Sequence, residues 1–183
     1  IEPVDSMGTP RRKFPENFVP ELQSLLAVPL GDMGILAVIR EESLPSDLFI
    51  KTLAELVNRY NRTKKGNPVL VGTYSSQIAL YLKKYFPELP FVAFSRSEAE
   101  LFNHRTYEPK IYALSIELAN QSLITQLNNE SKGVWIFNIN EEKEMEELVK
   151  IGAGGIITQN APTLLKLKAK LAGECRNLIV PSS

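Results

Sequence analysis

Short apolar runs alternate with helical patterns along most of this 183-residue chain, and this alternation constrains the fold more than any other feature. Each run has strand length and is almost continuously apolar, which is typical of strands covered on both faces of a parallel sheet. Successive runs begin roughly 20–35 residues apart, the size of a βα unit. The chain is therefore predicted to be an α/β protein with about six parallel strands, at 35–39, 69–73, 91–94, 111–115, 134–137 and 155–158.

Residue types that begin and end helices separate these runs. Ser75 is predicted to cap the helix after the second run, while Asn140 and Asn160 are predicted to cap the last two helices. Gly152 is predicted to end the acidic helix at 141–151. The pattern leaves an open doubly wound sheet and most of a (β/α)8 barrel as alternatives, because both consist of repeated βα units.

Composition and charge exclude several classes of function. The 21 basic side chains balance 21 acidic ones, so no electrostatic footprint for nucleic acid or an anionic membrane is present. No apolar run approaches the roughly 20 residues of a membrane-spanning helix. A single cysteine, Cys175, excludes an internal disulfide and predicts an intracellular compartment. If Ile1 is a processed end, an organellar (mitochondrial) location is predicted.

The stretch at 133–165 carries a resemblance to a known family. VWIFN at 134–138, the acidic helix after it, and GAGGIITQNAP at 152–162 resemble the glycerophosphodiester phosphodiesterases. That family shows V-x-V-W-T-V-N, an acidic helix and G-V-D-G-I-I-T-D-x-P in the same order. Looser matches lie at 20–26, 71–75 and 82–90. The resemblance implies the last six units of a TIM barrel: an incomplete or degenerate (β/α)8 barrel at 20–172, between an extended segment at 1–19 and a tail at 173–183.

The resemblance also implies a chemistry, for which this chain lacks several residues. Members of the family hydrolyse glycerophosphodiesters with Ca²⁺ or Mg²⁺ held by carboxylates, and with two histidines in H-R-G and H-D motifs. Neither motif occurs here, and His104 is expected to be a partly exposed loop residue in a different unit. Alignment of 35–40 with the family's apolar-x-x-E-x-K strand places Val38 at a metal carboxylate and Arg40 at the lysine. Gln159 stands where the family has aspartate.

Two residues remain as candidates for binding a substrate. Arg40 could bind a phosphate or carboxylate, or could form an ordinary ion pair at the strand end with Glu41 or Glu42. Trp135 matches the tryptophan that lines the family's pocket, although an indole serves equally well as packing inside a barrel. No catalytic residue and no metal ligand is assigned to this chain.

Three functional hypotheses follow from these observations. The first is a non-catalytic relative that serves as a structural or interaction subunit and needs no cofactor, with other protein chains covering its open barrel edges. The second is part of an active phosphodiesterase whose missing strands, and with them Ca²⁺ or Mg²⁺ binding, are supplied elsewhere. The third is an anion-binding module that uses Arg40 and Trp135.

Overall fold

The structure, a computed structural model, describes residues 24, 26, 34–40, 47–63 and 68–178. The chain divides into two compact units, Ile1–Met33 and Gly34–Ser183. Residues 24 and 26, within the predicted helix at 20–26, are helical. The rest of that helix, the extended segment at 1–19 and the end of the tail at 179–183 lie outside the described residues.

In the second unit, strands and helices alternate as the sequence predicts. The elements are β1 (Ile35–Ile39), α1 (Asp47–Thr63), β2 (Val69–Thr73), α2 (Ser76–Tyr85), β3 (Phe91–Ser95), α3 (Glu98–Arg105), β4 (Ile111–Ser115), α4 (Gln121–Asn129), β5 (Gly133–Phe137), α5 (Glu142–Lys150), β6 (Gly155–Ile157) and α6 (Ala161–Leu178). Each strand lies within one residue of its predicted position. Helix α6 continues to Leu178, so residues 173–178 of the predicted tail are helical. None of the described helices combines the length and the apolarity needed to cross a bilayer.

The six strands form one parallel sheet in which spatial order follows chain order, from β1 to β6. A doubly wound sheet would reverse its strand order at the point where the chain crosses to the other face. A (β/α)8 barrel instead adds each strand beside the preceding one. The sheet is therefore a curled, incomplete TIM barrel, which confirms the predicted fold class and resolves the two alternatives left by periodicity.

The two faces of the sheet are buried in different ways. The helix-facing side chains of the central strands are fully buried, as expected for strands covered by crossover helices; they include Val71, Ala93, Leu114, Val134 and Ile136. The opposite, concave face carries a second apolar cluster built on Val92, Phe94, Ala113 and Phe137. Alternation of side chains along each strand thus separates a helix-packed layer from a barrel-interior layer.

Most of the predicted helix ends are confirmed by hydrogen bonds. The Ile78 amide donates to Ser75 Oγ over 3.4 Å, and the Thr163 amide donates to Asn160 Oδ1 over 3.4 Å. Gly152 ends α5 with a φ of 99°, a conformation that a side chain disfavours. The Ala153 amide then donates to the Leu148 carbonyl over 3.0 Å, which completes a Schellman motif.

Candidate functional site

In (β/α)8 proteins, ligands bind where the carboxyl ends of the strands meet the barrel interior. We call this part of the concave face the mouth. The described residues that lie there end or follow the strands: Arg40, Tyr74, Arg96, Phe137, Asn138 and Gln159.

Aromatic rings occupy the middle of the mouth. The ring centroid of Tyr74 lies 4.7 Å from that of Phe94 and 6.2 Å from that of Phe137, and the Phe94 and Phe137 centroids are 5.6 Å apart. These tilted and edge-on contacts are the arrangements that aromatic pairs prefer. Phe94 and Phe137 are only 4% and 5% exposed. We call Tyr74, Phe94 and Phe137 the aromatic cluster; its rings pack against one another on the concave face.

A cation lies over the aromatic cluster. The guanidinium carbon of Arg96 is 4.2 Å from the centroid of the Tyr74 ring, a cation–π contact. The Arg96 backbone amide donates to Glu100 Oε2 over 2.5 Å, which ties the β3–α3 turn to the following helix. Arg96 is not among the site residues predicted from the sequence. Its spacing could have predicted it. Arg96 lies two residues after Phe94, so alternation along the strand places both side chains on the same face.

Val38 and Arg40 lie on the first described strand. A Cβ added at Gly72 would lie 2.7 Å from Phe94 and 3.3 Å from Val38, which places Val38 on the concave face. Val38 is 39% exposed. Arg40 comes two residues after Val38, immediately past the end of β1, and is exposed. Strands β2 to β4 separate it from the strand of Trp135.

Trp135 lies at the centre of β5 and packs on the neighbouring strand. It is in register with Gly155, and a Cβ at that glycine would lie 2.5 Å from Trp135 Cδ1. The indole therefore lies directly against the backbone of β6. It remains half-buried and belongs to the side chains packed around the concave cluster. The indole therefore packs against β6, and part of it stays exposed.

The loop after β5 has a special backbone conformation. Asn138 has a φ of 67°, in the left-handed region that asparagine tolerates better than most residues. The amides of Asn138 and Ile139 both donate to the Ile157 carbonyl, over 3.0 and 3.3 Å. This turn extends the hydrogen bonding of β5 with β6 beyond the strand end.

The prediction that Asn140 caps α5 is wrong. The N-cap residue is Glu141, and its side chain makes no capping hydrogen bond. Asn140 Oδ1 instead accepts hydrogen bonds from Thr158 Oγ1 and from the Gln159 amide, each over 3.0 Å. Asparagine serves both purposes because the same short amide that satisfies a helix amide can reach an adjacent loop.

The expectation that His104 is a partly exposed loop residue is also wrong. His104 lies in α3 and is fully buried. Its Nδ1 is 3.1 Å from Oγ of Ser95, a fully buried residue at the end of β3. Ser95 alternates with Phe94, so this polar pair belongs to the helix-packed layer and not to the mouth.

The described residues do not fit the metal site of the resembled family. They contain no group of three or more His, Cys, Asp or Glu side chains that could hold an ion. Val38 presents methyl groups where the alignment expects a carboxylate, and hard cations require oxygen ligands. Glu117, two residues past the end of β4, is a carboxylate near the mouth. It is not among the residues predicted from the sequence. Its own backbone amide, and then the Ser115 hydroxyl, lower the pKa of Glu117.

Comparison with solved structures identifies proteins of the same fold. A Silicibacter pomeroyi protein assigned to the glycerophosphoryl diester phosphodiesterases superposes with a TM-score of 0.59 at 11% identity, over 68% of this chain and 44% of its own. An Oleispira antarctica phosphodiesterase in complex with the product sn-glycerol-3-phosphate gives 0.57 at 13% identity, over 69% and 50%. A Parabacteroides distasonis glycerophosphodiester phosphodiesterase gives 0.55 at 14% identity, over 74% and 58%.

These likenesses confirm the predicted resemblance at the level of the fold. The chain spans about half the length of these solved structures. No protein-family model matches the sequence, and no curated protein matches it.

Proposed function

We propose that this chain is a degenerate, non-catalytic relative of the glycerophosphodiester phosphodiesterases that acts as a structural or interaction subunit. The observation that carries the proposal is the aromatic cluster of Tyr74, Phe94 and Phe137 in the mouth. Rings in van der Waals contact stabilise the barrel interior, and the phenyl groups of Phe94 and Phe137 can act neither as an acid nor as a base. Val38, at the aligned metal position, adds an apolar side chain to the same face.

The partners of this subunit are proposed to be other protein chains that cover the barrel edges. Among the described strands, β1 and β6 are the two ends of the sheet. The outer backbone N–H and C=O groups of an end strand are available to pair with another chain. The exposed Val38 adds apolar area beside one of these ends.

The alternative is that the chain is part of an active phosphodiesterase. It is favoured by the span of the comparison, since the chain covers about half of structures that include a phosphodiesterase bound to sn-glycerol-3-phosphate. The missing strands would then supply the histidines and the ligands of Ca²⁺ or Mg²⁺. In this case Arg40 and Trp135 are the proposed contacts to the substrate from this chain.

Hydrolysis of glycerophosphocholine tests the non-catalytic proposal, and an H-R-G and an H-D motif upstream of this chain in the full open reading frame would favour the alternative. The purified chain is assayed with added Ca²⁺ or Mg²⁺, and in parallel with EDTA. We expect no metal-dependent turnover, because the described residues contain no group of three or more His, Cys, Asp or Glu side chains that could hold the metal ion. Turnover that EDTA abolishes would overturn the non-catalytic proposal.

The third hypothesis, an anion-binding module, depends on Arg40. Binding of sn-glycerol-3-phosphate is measured by calorimetry for the parent chain and for Arg40→Ala. If Arg40 binds the phosphate, the variant loses about tenfold in affinity, as expected for one charge-assisted contact. An affinity that does not change refutes this role for Arg40, and the parallel Trp135→Leu variant tests the indole in the same way.

A further inference from the structure

A cavity of about 580 Å³ lies at the amino ends of the central strands, on the opposite edge of the sheet from the mouth. We call it the basal cavity. Phe91 begins β3, while Lys110 and Lys132 precede β4 and β5, and all three line the cavity. Its volume falls within the range of about 300–1,000 Å³ that is usual for small-molecule sites.

The charges around the basal cavity do not cancel. Three lysines and two glutamates line it: Lys83, Lys110, Lys132, Glu88 and Glu108. Lys83 and Glu108 form an ion pair, which already engages one of the two carboxylates. The hydrogen bond and charge of Lys83, and then the charges of Lys132 and Lys110, lower the pKa of Glu108. Neither Lys110 nor Lys132, however, lies within 4.0 Å of a carboxylate that the structure describes.

Lys110 and Lys132 are neighbours across two strands. The parallel register pairs Ile111 with Gly133, and each lysine comes immediately before its member of this pair. The Gly133 amide donates to the Lys110 carbonyl over 2.9 Å, which extends the strand pairing to the lysines. Paired strands lie about 4.8 Å apart, and like charges at facing positions are destabilising. An anion between the two ammonium groups would remove this repulsion.

The backbone holds Lys132 in place before any ligand binds. Ser131 has a φ of 57° and ends α4, and the Lys132 amide donates to the Leu127 carbonyl over 3.0 Å. This is a Schellman motif, which defines the path of the chain from the helix into β5. A backbone that is already ordered lowers the entropy lost when a ligand binds.

Part of the wall of the basal cavity is apolar. This part is formed by Phe86, Pro87, Leu89, Pro90 and Tyr107. Prolines and aromatic rings offer rigid surface against which a flat apolar group can pack at little entropic cost. The combination of two lysines with such walls suits an anion that carries an apolar body better than it suits a bare inorganic ion.

We propose that the basal cavity is a binding site for a small organic anion, with its phosphate or carboxylate group between Lys110 and Lys132 and its apolar body against the proline and aromatic walls. The site is separate from the mouth, and it does not depend on whether the chain is catalytic.

Phenyl phosphate serves as the probe, in a titration of ¹⁵N-labelled protein followed by NMR. We expect saturable shifts of the amides of Lys110, Lys132 and Gly133. Lys110→Met and Lys132→Met retain the apolar stem but remove the charge, and each should weaken binding by about tenfold, the effect of one charge-assisted contact. Lys143→Met is the matched control. It removes an exposed lysine of α5 and should leave the affinity unchanged.

Three results would overturn the proposal. These are the absence of saturable shifts at the three amides, an affinity of the Lys110→Met and Lys132→Met variants that is unchanged from the parent chain, or a loss in the Lys143→Met control as large as in those variants. Inorganic phosphate that binds as tightly as phenyl phosphate would refute the role given to the apolar body. Thermal unfolding of each variant confirms that a loss of binding is not a loss of fold, and Lys132→Arg, which keeps the charge, should restore binding.

Discussion

At the scale of single residues, close approach of an aromatic ring to a strand backbone defines part of the barrel interior. Trp135 lies against Gly155 at a distance that leaves no room for a Cβ. The neighbouring Gly154 differs, since a Cβ there would meet only the Val134 carbonyl oxygen, at 3.6 Å. Of these two adjacent glycines in the GAGG sequence, only Gly155 therefore lacks room for a side chain.

This difference predicts that an alanine substitution changes stability at one of the two glycines and not at the other. Gly155→Ala should destabilise the protein by about 1–3 kcal/mol, the usual cost of overpacking, because the methyl group overlaps the indole. Gly154→Ala, the control, should be nearly neutral. Urea unfolding followed by circular dichroism measures both. In a double-mutant cycle, the penalty at Gly155 should shrink when Trp135 is replaced by leucine. Equal effects of the two alanines would contradict the packing described for Trp135.

A second prediction at this scale concerns Ser131. It adopts a left-handed φ of 57° at the end of α4, where glycine carries no steric penalty. Ser131→Gly should therefore raise stability by about 0.5–1 kcal/mol, measured as a shift of the urea midpoint. Ser122→Gly, on the exposed first turn of the same helix, should instead lower stability by a few tenths of a kcal/mol. A destabilised Ser131→Gly variant would contradict the conformation described here.

Single residues were predictable where local geometry decided their position. Alternation along a strand placed Val38 and Arg40 on one face, and the structure agrees for Val38. His104 could not be placed in this way, because its burial depends on Ser95, a residue of the preceding strand. Arg96 was missed for a similar reason. Its contact with Tyr74 joins the ends of two strands, and nothing in the local sequence shows which strands become neighbours.

At the scale of elements, an ion-pair network joins the last two helices. Glu146 of α5 lies 2.9 Å from Lys150 in its own helix and 3.4 Å from Lys170 of α6. The hydrogen bond and charge of Lys150, followed by those of Lys170, lower the pKa of Glu146 from its usual value of 4.5. A lowered pKa means that the folded state holds the Glu146 proton less tightly than the unfolded state does.

Stability should therefore depend on Glu146 at acid pH. Its contribution is present above the unfolded pKa near 4.5 and is lost as pH falls through the lowered folded pKa. In urea unfolding between pH 7 and pH 3, Glu146→Gln should lose less stability than the parent chain over this range. Glu88→Gln, in the turn after α2, provides the control and should follow the parent. High salt should reduce the difference, because the pairs are partly exposed. Parallel curves for Glu146→Gln and the parent would exclude this linkage.

The elements themselves were largely predictable, but their ends were less so. Each apolar run became a strand, since a run of branched and aromatic residues of this length suits a sheet buried on both faces. Asn140 shows why ends are harder to predict. An asparagine before an acidic helix is a good cap, yet its amide bonds the loop after β6 instead. That loop comes close only once β5 and β6 have paired, which is a tertiary event that no capping preference includes.

At the scale of the whole molecule, periodicity predicted an α/β sheet but could not choose between a barrel and an open sheet. The choice depends on strand order, which is a property of how the units pack on one another. The resemblance at 133–165 implies a barrel, in which spatial strand order follows chain order, and the sheet has this order. The proposed role as an interaction subunit belongs to the same scale, because it depends on the end strands of the sheet and not on any one side chain.

The proposed partner interface predicts how the isolated chain behaves in solution. Val38 lies on β1, which is an end strand among those described, and 39% of its surface is exposed on the concave face. Apolar side chains beside an unpaired strand edge promote association between copies, whereas an inward-pointing charge suppresses it. Sedimentation velocity should therefore show association that increases with concentration when no partner is present.

A charge placed at Val38 should suppress this association. Val38→Lys is expected to weaken it by at least about tenfold, or 1.4 kcal/mol, because the ammonium group would have to be desolvated at the contact. Leu48→Lys is the matched control: it adds the same charge at a side chain of α1 that is 72% exposed, and it should leave the association unchanged. A parent chain that stays monomeric at all concentrations, or equal effects of both substitutions, would remove the support that Val38 lends to a partner at this edge.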